Sequence, residues 1–361
     1  MATLKVYSER ILNNIRKLNS YLGSRDAQWS MVTKMLGGNR KVLESFLHDD
    51  SMKQIHSLAD SRISNLKTIK SIRPDLVTMY IKPPAPTIAK SIVNYADIST
   101  NSSLRTIEAL NAAAKAEGKI HRVVVMIEMG ELREGVLREN ILKFYDRIFN
   151  LSNIGVIGIG TNLGCMYGIE PTYDKLIQLN LFKQLIDAKF DQNLELVSAG
   201  SSITLPLIPK GKIPKGINHY RIGESVFLGV SPLDNKRFNG LSTTAFEFCA
   251  EVLELEKKSN VPDGRLSEAS IGHTALDEFE DTEHEESYRA IVDFGVLDVD
   301  VNNLTPKDKD VEFFGTTSDM TVYDLGQKKN LSRVGGQLKF VPNYMAAARL
   351  LNSKYVSIEV I

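Results

Sequence analysis

Short apolar runs rich in β-branched residues alternate with amphipathic helical stretches over the first part of this chain. This alternation limits the folds that the chain can adopt. Such runs predict strands that are buried on both faces. Strands separated by helices form parallel sheets, because a parallel connection needs a crossover of about a dozen residues or more. About eight strands of this kind fall within the first ~230 residues, which predicts an α/β fold with a TIM-type (β/α)8 barrel.

The predicted elements follow one another in a regular order. The first helix begins at Ser8 and ends at Gly23, with an apolar face made of Ile11, Ile15, Leu18 and Leu22. Later helices are predicted at Ser103–Glu117 and Ile141–Phe149. The predicted barrel strands are Gln28–Lys34, Gln54–Ala59, Leu76–Ile81, Asp97–Thr100, Arg122–Glu128, Ile154–Asn162, Leu194–Ser198 and Asn218–Ile222.

The pattern changes after Ser231 and Pro232. The remaining chain contains strand-like runs separated by turns, with little helical periodicity. These runs are Phe246–Glu256, Ala290–Phe294, Thr321–Leu325 and Val356–Ile361. We therefore predict two domains, the barrel at residues 1–232 and a β-rich carboxyl-terminal domain at residues 233–361.

Charge and composition exclude several classes of partner. The chain has 44 basic and 44 acidic residues, which predicts no binding to nucleic acid or to a membrane surface. No apolar segment reaches the ~18 residues of a membrane span, and the amino terminus lacks a signal-peptide core. Two cysteines, Cys165 and Cys249, form no disulfide framework and suit a cytoplasmic protein. The acidic run Asp277–Glu286, which contains His284, is predicted to be a solvated loop, with a metal site or a patch for basic ligands as alternatives.

Side chains suited to catalysis follow the ends of the predicted strands, where barrel enzymes gather their catalytic groups. Lys34 directly follows a predicted buried run. Burial at such a position favours the neutral amine, which is the form that makes a Schiff base. The alternative is a lysine at a strand end whose side chain extends to solvent. Arg133 has the fork geometry to bind a phenolate or carboxylate oxygen. Small or polar residues that suit a phosphate site follow the last two strands, namely Ser201, Ser202, Gly223 and Glu224.

The order of these segments resembles a known family. VTK at Lys34, GELREG, TNLGC, SAGSS and RIGE resemble segments of the fold-type III pyridoxal-phosphate (PLP) enzymes related to alanine racemase, and most closely the ornithine-racemase-like branch. The resemblance covers nearly the whole barrel and, more loosely, the carboxyl-terminal domain. It implies a PLP cofactor, an amino-acid substrate, and a homodimer whose active sites borrow groups from the partner's second domain.

The resemblance also implies a role for each matching residue. Lys34 would hold PLP as a Schiff base and act as one catalytic base. Arg221 would face the pyridine nitrogen and, because arginine retains its proton, leave that nitrogen largely unprotonated. Arg133 would lie near the ring hydroxyl. The phosphate and the rest of the cofactor would be held by Asn162, Ser201, Ser202, Gly223, the backbone N–H of Glu224, and Tyr355.

Two positions depart from the alanine-racemase pattern. Met35–Gly38 occupies the place of a motif with a phosphate-binding tyrosine, and Val296 occupies the place of the tyrosine that acts as the second base. A racemase needs proton-transfer groups on both faces of the α-carbon. The candidates for the second group are Cys165, Tyr167, Asp298 and Asp319.

Three functions remain open at this point. The chain is a racemase or epimerase of a free amino acid, an enzyme of another reaction on the same scaffold such as retro-aldol cleavage or decarboxylation, or a non-catalytic PLP carrier. The resemblance favours a racemase of ornithine or another basic amino acid. The second ammonium of such a substrate must meet a carboxylate, for which the candidates are Glu131, Glu134, Asp298 and Asp319.

Overall fold

A computed structural model of the chain describes residues 1–264, 273–274 and 286–361. These residues form two compact units, one at Glu9–Thr243 and the other made of Met1–Ser8 with Thr244–Ile361. Apart from Glu286, the acidic run Asp277–Glu286 lies outside the described residues, so the loop predicted there and its alternatives stay predictions. The predicted domain border between residues 232 and 233 also stays a prediction.

After strand β1 (Thr3–Val6), which belongs to the second unit, the chain forms a closed barrel of eight parallel strands. Each strand pairs with the next one along the chain, and the first pairs with the last to close the barrel. The (β/α)8 fold predicted from the sequence is therefore confirmed. The barrel strands are β2 (Gln28–Val32), β3 (Ser57–Asp60), β4 (Thr78–Tyr80), β5 (Ile98–Asn101), β6 (His121–Met126), β7 (Ile154–Gly160), β8 (Leu196–Ser201) and β9 (His219–Ile222).

Helices connect the barrel strands. Several begin at a residue whose side chain accepts a hydrogen bond from the first helical turn, as Asn39, Ser103 and Thr172 do. The helices of this unit are α1 (Ser8–Gly23), α2 (Arg40–Leu47), α3 (Ile63–Ile72), α4 (Ala89–Tyr95), α5 (Leu104–Ala116), α6 (Ile141–Phe149), α7 (Tyr173–Phe190) and α8 (Glu224–Leu228).

Apolar side chains from seven of the eight strands pack together in one buried cluster. Its members are Val32, Ala59, Met79, Ile98, Val124, Met126, Ile157 and Leu196. Close packing of this kind gives a stiff interior, because interdigitated side chains leave no room for the strands to slide. The strand ends, and the side chains they carry, are held in fixed relative positions.

The second unit is an antiparallel sheet with one parallel pair, which confirms the predicted β-rich domain. β1 pairs with β10 in antiparallel fashion and with β17 in parallel. A short helix, α9 (Tyr344–Leu350), precedes the last strand. The further strands of the described residues are β10 (Phe246–Ser259), β11 (His273–Thr274), β12 (Glu286–Val292), β13 (Leu304–Pro306), β14 (Glu312–Thr316), β15 (Thr321–Asp324), β16 (Gln337–Pro342) and β17 (Ser357–Val360).

Several element boundaries differ from the predicted ones for local reasons. The strand predicted at Gln54–Ala59 begins only at Ser57, because Asp49 caps a 3₁₀ turn that takes up Asp50–Gln54. The strand predicted to reach Lys34 ends at Val32, because the chain turns there. β1 and α9 were not predicted, and the partners of β1 lie more than 200 residues away in the sequence.

Candidate active site

The carboxyl ends of the barrel strands border a cavity of about 430 Å³. Its lining residues follow β2, β3, β4 and β6 along the chain. They are Lys34, Ser61, Ile81, Lys82, Pro83, Arg133 and Glu134. The structure thus brings Lys34 and Arg133, two of the predicted site residues, to the wall of one cavity.

Lys34 begins a single 3₁₀ turn that is held at both ends. On its amino-terminal side, the Thr33 hydroxyl donates a hydrogen bond to the Asp60 carboxylate at 2.9 Å. On its carboxyl-terminal side, Gly38 has a φ of +73°, and a Cβ there would lie 2.6 Å from the amide oxygen of Asn65. Asn65 also donates to Asp60, at 3.0 Å. The buried carboxylate of Asp60 therefore links both flanks of the turn, while the Lys34 side chain is exposed.

Arg221 places a guanidinium inside the barrel. One terminal nitrogen donates to the carbonyl oxygen and the hydroxyl of Ser198, and the other donates to the carbonyl oxygen of Thr161 and to Oδ1 of Asn162. Burial lowers the pKa of Arg221 to about 10, although the carboxylate of Glu134 opposes the shift. Arg221 therefore stays protonated at neutral pH, with four oxygen atoms fixing the plane of its side chain.

Glu134 links the two arginines of the site. It pairs with Arg133 through both carboxylate oxygens, and it accepts a hydrogen bond from the amide nitrogen of Asn162. Because Asn162 accepts from Arg221, a continuous chain of polar contacts runs from Arg133 to Arg221. Arg133 also donates to the Cys165 sulfur at 2.7 Å. The bond to Glu134 raises the pKa of Arg133 above its ordinary value.

Glu131 organises the loop that follows β7. Its carboxylate is 2% exposed and accepts four backbone hydrogen bonds of 2.7–3.2 Å, from Cys165, Met166, Tyr167 and Ile169. Burial raises the pKa of Glu131, but the four N–H donors outweigh it and hold the pKa below its usual value. Both oxygens of Glu131 are occupied by backbone donors, which disfavours it among the four candidates for a substrate ammonium, and that role stays a prediction.

The predicted phosphate residues cluster where β8 and β9 end. The Ser202 hydroxyl accepts from the backbone N–H of Ser225 in the first turn of α8 at 3.2 Å, and Ser201 lies at the end of β8. Gly223 precedes α8, and a Cβ there would lie 3.2 Å from that of Val32. Burial raises the pKa of Glu224, whereas the charge of Lys34 opposes the shift. Because Met31 pairs with Ile222 and Val32 approaches Gly223, the segment that leads to Lys34 runs beside the segment that leads to α8.

The remaining predicted residues belong to the second unit. Tyr355 is 79% exposed, and Asp319 is exposed with its carboxylate accepting from the Ser318 hydroxyl at 2.9 Å. The segment that contains Val296 is hydrogen-bonded to the segment that contains Asp319. Asp298 is buried and accepts from the Gly295 N–H and the Ser353 hydroxyl, so both of its oxygens have structural partners.

The cavity also contains a lysine that the sequence analysis missed. Lys82 follows the apolar run around β4 just as Lys34 follows the run around β2, so the same signal was present in the sequence. The structural roles of Asp60 and Glu131 could not be recognised in the sequence in this way, because the groups that they contact lie in other segments of the chain.

Together these features define a barrel enzyme whose mouth carries two lysines, two arginines and a cluster of small hydroxyl residues. Residues 6–232 match the family described as alanine racemase, N-terminal domain. The chain is 32% identical to an ornithine racemase of Acetoanaerobium sticklandii, over 92% of each chain. It is 30% identical to a lysine racemase of Thermotoga maritima, over 98% of this chain and 96% of that one. The chain therefore belongs to the alanine racemase family.

Solved structures show the same fold at lower sequence identity. The biosynthetic alanine racemase of Pseudomonas aeruginosa superimposes with a TM-score of 0.75 at 14% identity, covering 100% of this chain and 99% of that one. The alanine racemase of Streptomyces coelicolor gives the same TM-score at 15% identity, with 100% and 98% coverage.

Among residues 1–264, 273–274 and 286–361, none of the helices is long and apolar enough to cross a membrane. Within the same ranges, no group of three or more histidine, cysteine, aspartate or glutamate side chains is arranged to hold a metal ion.

We predict that Glu131→Gln loosens the Cys165–Ile169 loop. The amide NH2 would face N–H donors in place of a carboxylate oxygen, so hydrogen bonds to a charged acceptor would be lost. Amide hydrogen exchange in this loop should become about tenfold faster or more, as followed by mass spectrometry of the loop peptide. Glu170→Gln makes the same charge change beside the loop at an exposed residue and should leave exchange unchanged. Equal exchange in both variants would show that Glu131 does not hold the loop.

Proposed function

We propose that this protein is a PLP-dependent racemase of a free basic amino acid, with Lys34 as its Schiff-base lysine. The observation that carries the proposal is the position of Lys34 in the cavity wall, directly after the strand that pairs with β9 and approaches Gly223, where the predicted phosphate residues cluster. The names of the two similar racemases, one for ornithine and one for lysine, support the substrate class. Retro-aldol cleavage, decarboxylation and a carrier role have no comparable support.

The residues at the barrel mouth fit PLP. The first N–H groups of a helix have no acceptors within the helix, so the start of α8, beside the hydroxyls of Ser201 and Ser202, suits a phosphate. A Cβ at Gly223 would lie 3.2 Å from that of Val32, so there is little space for a side chain, and glycine leaves the backbone there uncovered. A buried guanidinium at Arg221 suits a ring nitrogen that must accept a hydrogen bond. When bound, PLP withdraws electrons from the α-carbon of an attached amino acid and so acidifies its α-hydrogen.

Each side chain then has a separate task. Lys34 would move the α-proton on one face of the substrate. Arg221 would donate to the ring nitrogen and, with a pKa of about 10, would not transfer its proton at neutral pH. Arg133, aligned by Glu134, would bind the ring hydroxyl or the substrate carboxylate in fork geometry. Asn162 would hold Arg221 and Glu134 in their relative positions.

The opposite-face proton would be handled by Cys165 or Asp319. Cys165 is exposed on the loop held by Glu131, and its sulfur accepts a hydrogen bond from the guanidinium of Arg133 at 2.7 Å. Asp319 would reach the site only from the second domain of a partner subunit, as the family resemblance implies. Exposed apolar side chains on both units support such a homodimer, namely Leu132, Met166 and Tyr167 on the barrel and Leu297, Met320 and Tyr355 on the second unit.

A single-face exchange experiment identifies the second base. If Cys165 is that group, Cys165→Ala should lose racemisation while Lys34 still exchanges the α-hydrogen of one enantiomer with deuterium oxide. Proton NMR of each pure enantiomer measures the exchange, and chiral chromatography measures inversion. Parallel loss of exchange and inversion with both enantiomers would exclude Cys165 as the second base, and Asp319→Asn is then tested in the same way.

Hybrid dimers test whether the site is shared between subunits. Lys34→Ala mixed with Asp319→Asn should turn over ornithine faster than either variant alone, because one site of each hybrid would carry no substitution. Lys34→Ala mixed with Cys165→Ala should remain inactive, since both residues lie in the barrel of the same chain. No recovery in the first mixture, with heterodimers demonstrated by mass spectrometry, would contradict the shared site.

The substrate proposal is tested by comparing kcat/KM for ornithine, lysine and alanine. The second ammonium of a basic substrate must meet a carboxylate, because otherwise nothing compensates for its lost hydration. Three of the candidate carboxylates, those of Glu131, Glu134 and Asp298, already have other partners. Asp319 is therefore our candidate for that contact. We expect the basic substrates to be preferred, and Asp319→Asn to weaken ornithine turnover by about 1–3 kcal/mol in transition-state stabilisation while sparing alanine. Preference of the unmodified enzyme for alanine would contradict the proposed substrate class and leave family membership intact.

A further inference from the structure

A buried chain of polar side chains lies beneath Arg221 inside the barrel. His219, on the same strand, is completely buried, with Nδ1 at 2.7 Å from the Ser198 hydroxyl and Nε2 at 2.9 Å from the Ser30 hydroxyl. Ser30 in turn lies 2.7 Å from the hydroxyl of Ser57. Because Ser198 also accepts from Arg221, the chain joins the guanidinium to the middle of the barrel.

The imidazole of His219 is neutral. Burial holds the pKa of His219 well below its ordinary value, and the positive charge of Arg221 acts in the same direction. A neutral imidazole has one ring nitrogen that donates and one that accepts. Which nitrogen carries the proton is therefore decided by the neighbouring groups.

The neighbours select one direction for the hydrogen bonds. A guanidinium only donates, so the Ser198 oxygen receives a hydrogen from Arg221. If Nδ1 of His219 also carried a hydrogen, the Ser198 oxygen would face two donors. The hydrogen of the Ser198 hydroxyl would then have no acceptor within this series of hydrogen bonds. With the proton on Nε2, Ser198 donates to His219 and His219 donates to Ser30. Every donor then points away from Arg221, and polarisation along such a chain strengthens each bond.

We propose that His219 is a positioning residue that acts through Ser198 to fix the orientation of Arg221 towards the bound cofactor. The inference rests on the proposed function, since it assumes that Arg221 meets the PLP ring. Asn162 and Thr161 hold one terminal nitrogen of the guanidinium, and Ser198 holds the other. Without a defined acceptor for its hydrogen, the Ser198 hydroxyl can rotate, and one of the four oxygen contacts of Arg221 weakens.

The experiment compares His219→Phe with Ser198→Ala and with a matched control, His121→Phe. His121 is also buried and bonded to a serine hydroxyl, that of Ser99 at 2.8 Å. These two residues lie on β6 and β5, whereas Arg221 and Ser198 lie on β9 and β8. Each purified variant is titrated with PLP, and the visible absorption of the bound cofactor is recorded. With each variant that binds PLP, kcat, KM and the ratio of transamination to racemisation are then measured.

We expect His219→Phe and Ser198→Ala to change the absorption of bound PLP, to lower kcat by about tenfold to a hundredfold with little change in KM, and to raise the transamination ratio. His219→Gln should recover part of the loss, because its amide oxygen can accept from Ser198. His121→Phe should lower stability without altering the spectrum or the ratio.

Two outcomes would overturn the inference. In the first, His219→Phe has the same PLP absorption spectrum and the same ratio of transamination to racemisation as His121→Phe. In the second, Ser198→Ala has the same spectrum and ratio as the unmodified protein. His219→Leu takes the place of His219→Phe in this comparison if the latter fails to fold, because Ser198→Ala removes a direct partner of Arg221 and does not by itself test His219. An unmodified protein that neither binds PLP nor racemises would instead contradict the proposed function, so the two failures are distinguishable.

Discussion

The buried guanidinium of Arg221 is the constraint on which the site depends. A charge inside a barrel is costly unless oxygen atoms replace its hydration. Here the oxygens come from two residues directly after β7 and from Ser198 within the neighbouring strand β8, while the guanidinium itself comes from β9. The carboxylate that balances the charge, Glu134, acts through the amide of Asn162. The hydrogen bonds that stabilise one charge thereby also join three neighbouring strands.

The acidic side chains around the barrel mouth are mostly engaged in supporting the structure. Asp60 secures the turn that begins with Lys34, Glu131 holds the loop that carries Cys165, and Glu134 aligns Arg133. The cavity wall therefore presents two lysines and one arginine with a single carboxylate that is already paired. Such a wall suits a phosphate and a carboxylate, which is the chemistry of PLP and of the α-substituents of an amino acid. A substrate with a second ammonium must find its partner outside the barrel, for which Asp319 is our candidate.

The sequence allowed the barrel and its family to be predicted because both depend on local signals. Apolar runs mark the strands, and residues directly after them lie at the mouth, which is how Lys34, Arg133 and the serines were found. The roles of Glu131 and His219 could not be predicted in this way. Their partners come from other strands and loops, and only the closed barrel brings Glu131 to the backbone of residues 165–169 or His219 to Ser30. β1 was missed for the same reason, since its stability comes from strands at the opposite end of the chain.

The proposed chemistry depends on one covalent assignment, that Lys34 and not Lys82 in the same cavity wall holds the cofactor. Borohydride reduction of the protein loaded with PLP, followed by digestion and mass spectrometry, locates the lysine that carries the pyridoxyl group. We predict a single modified peptide that contains Lys34, with the peptide that contains Lys82 unmodified. Modification at Lys82, or none at either lysine in a protein saturated with PLP, would contradict the assignment.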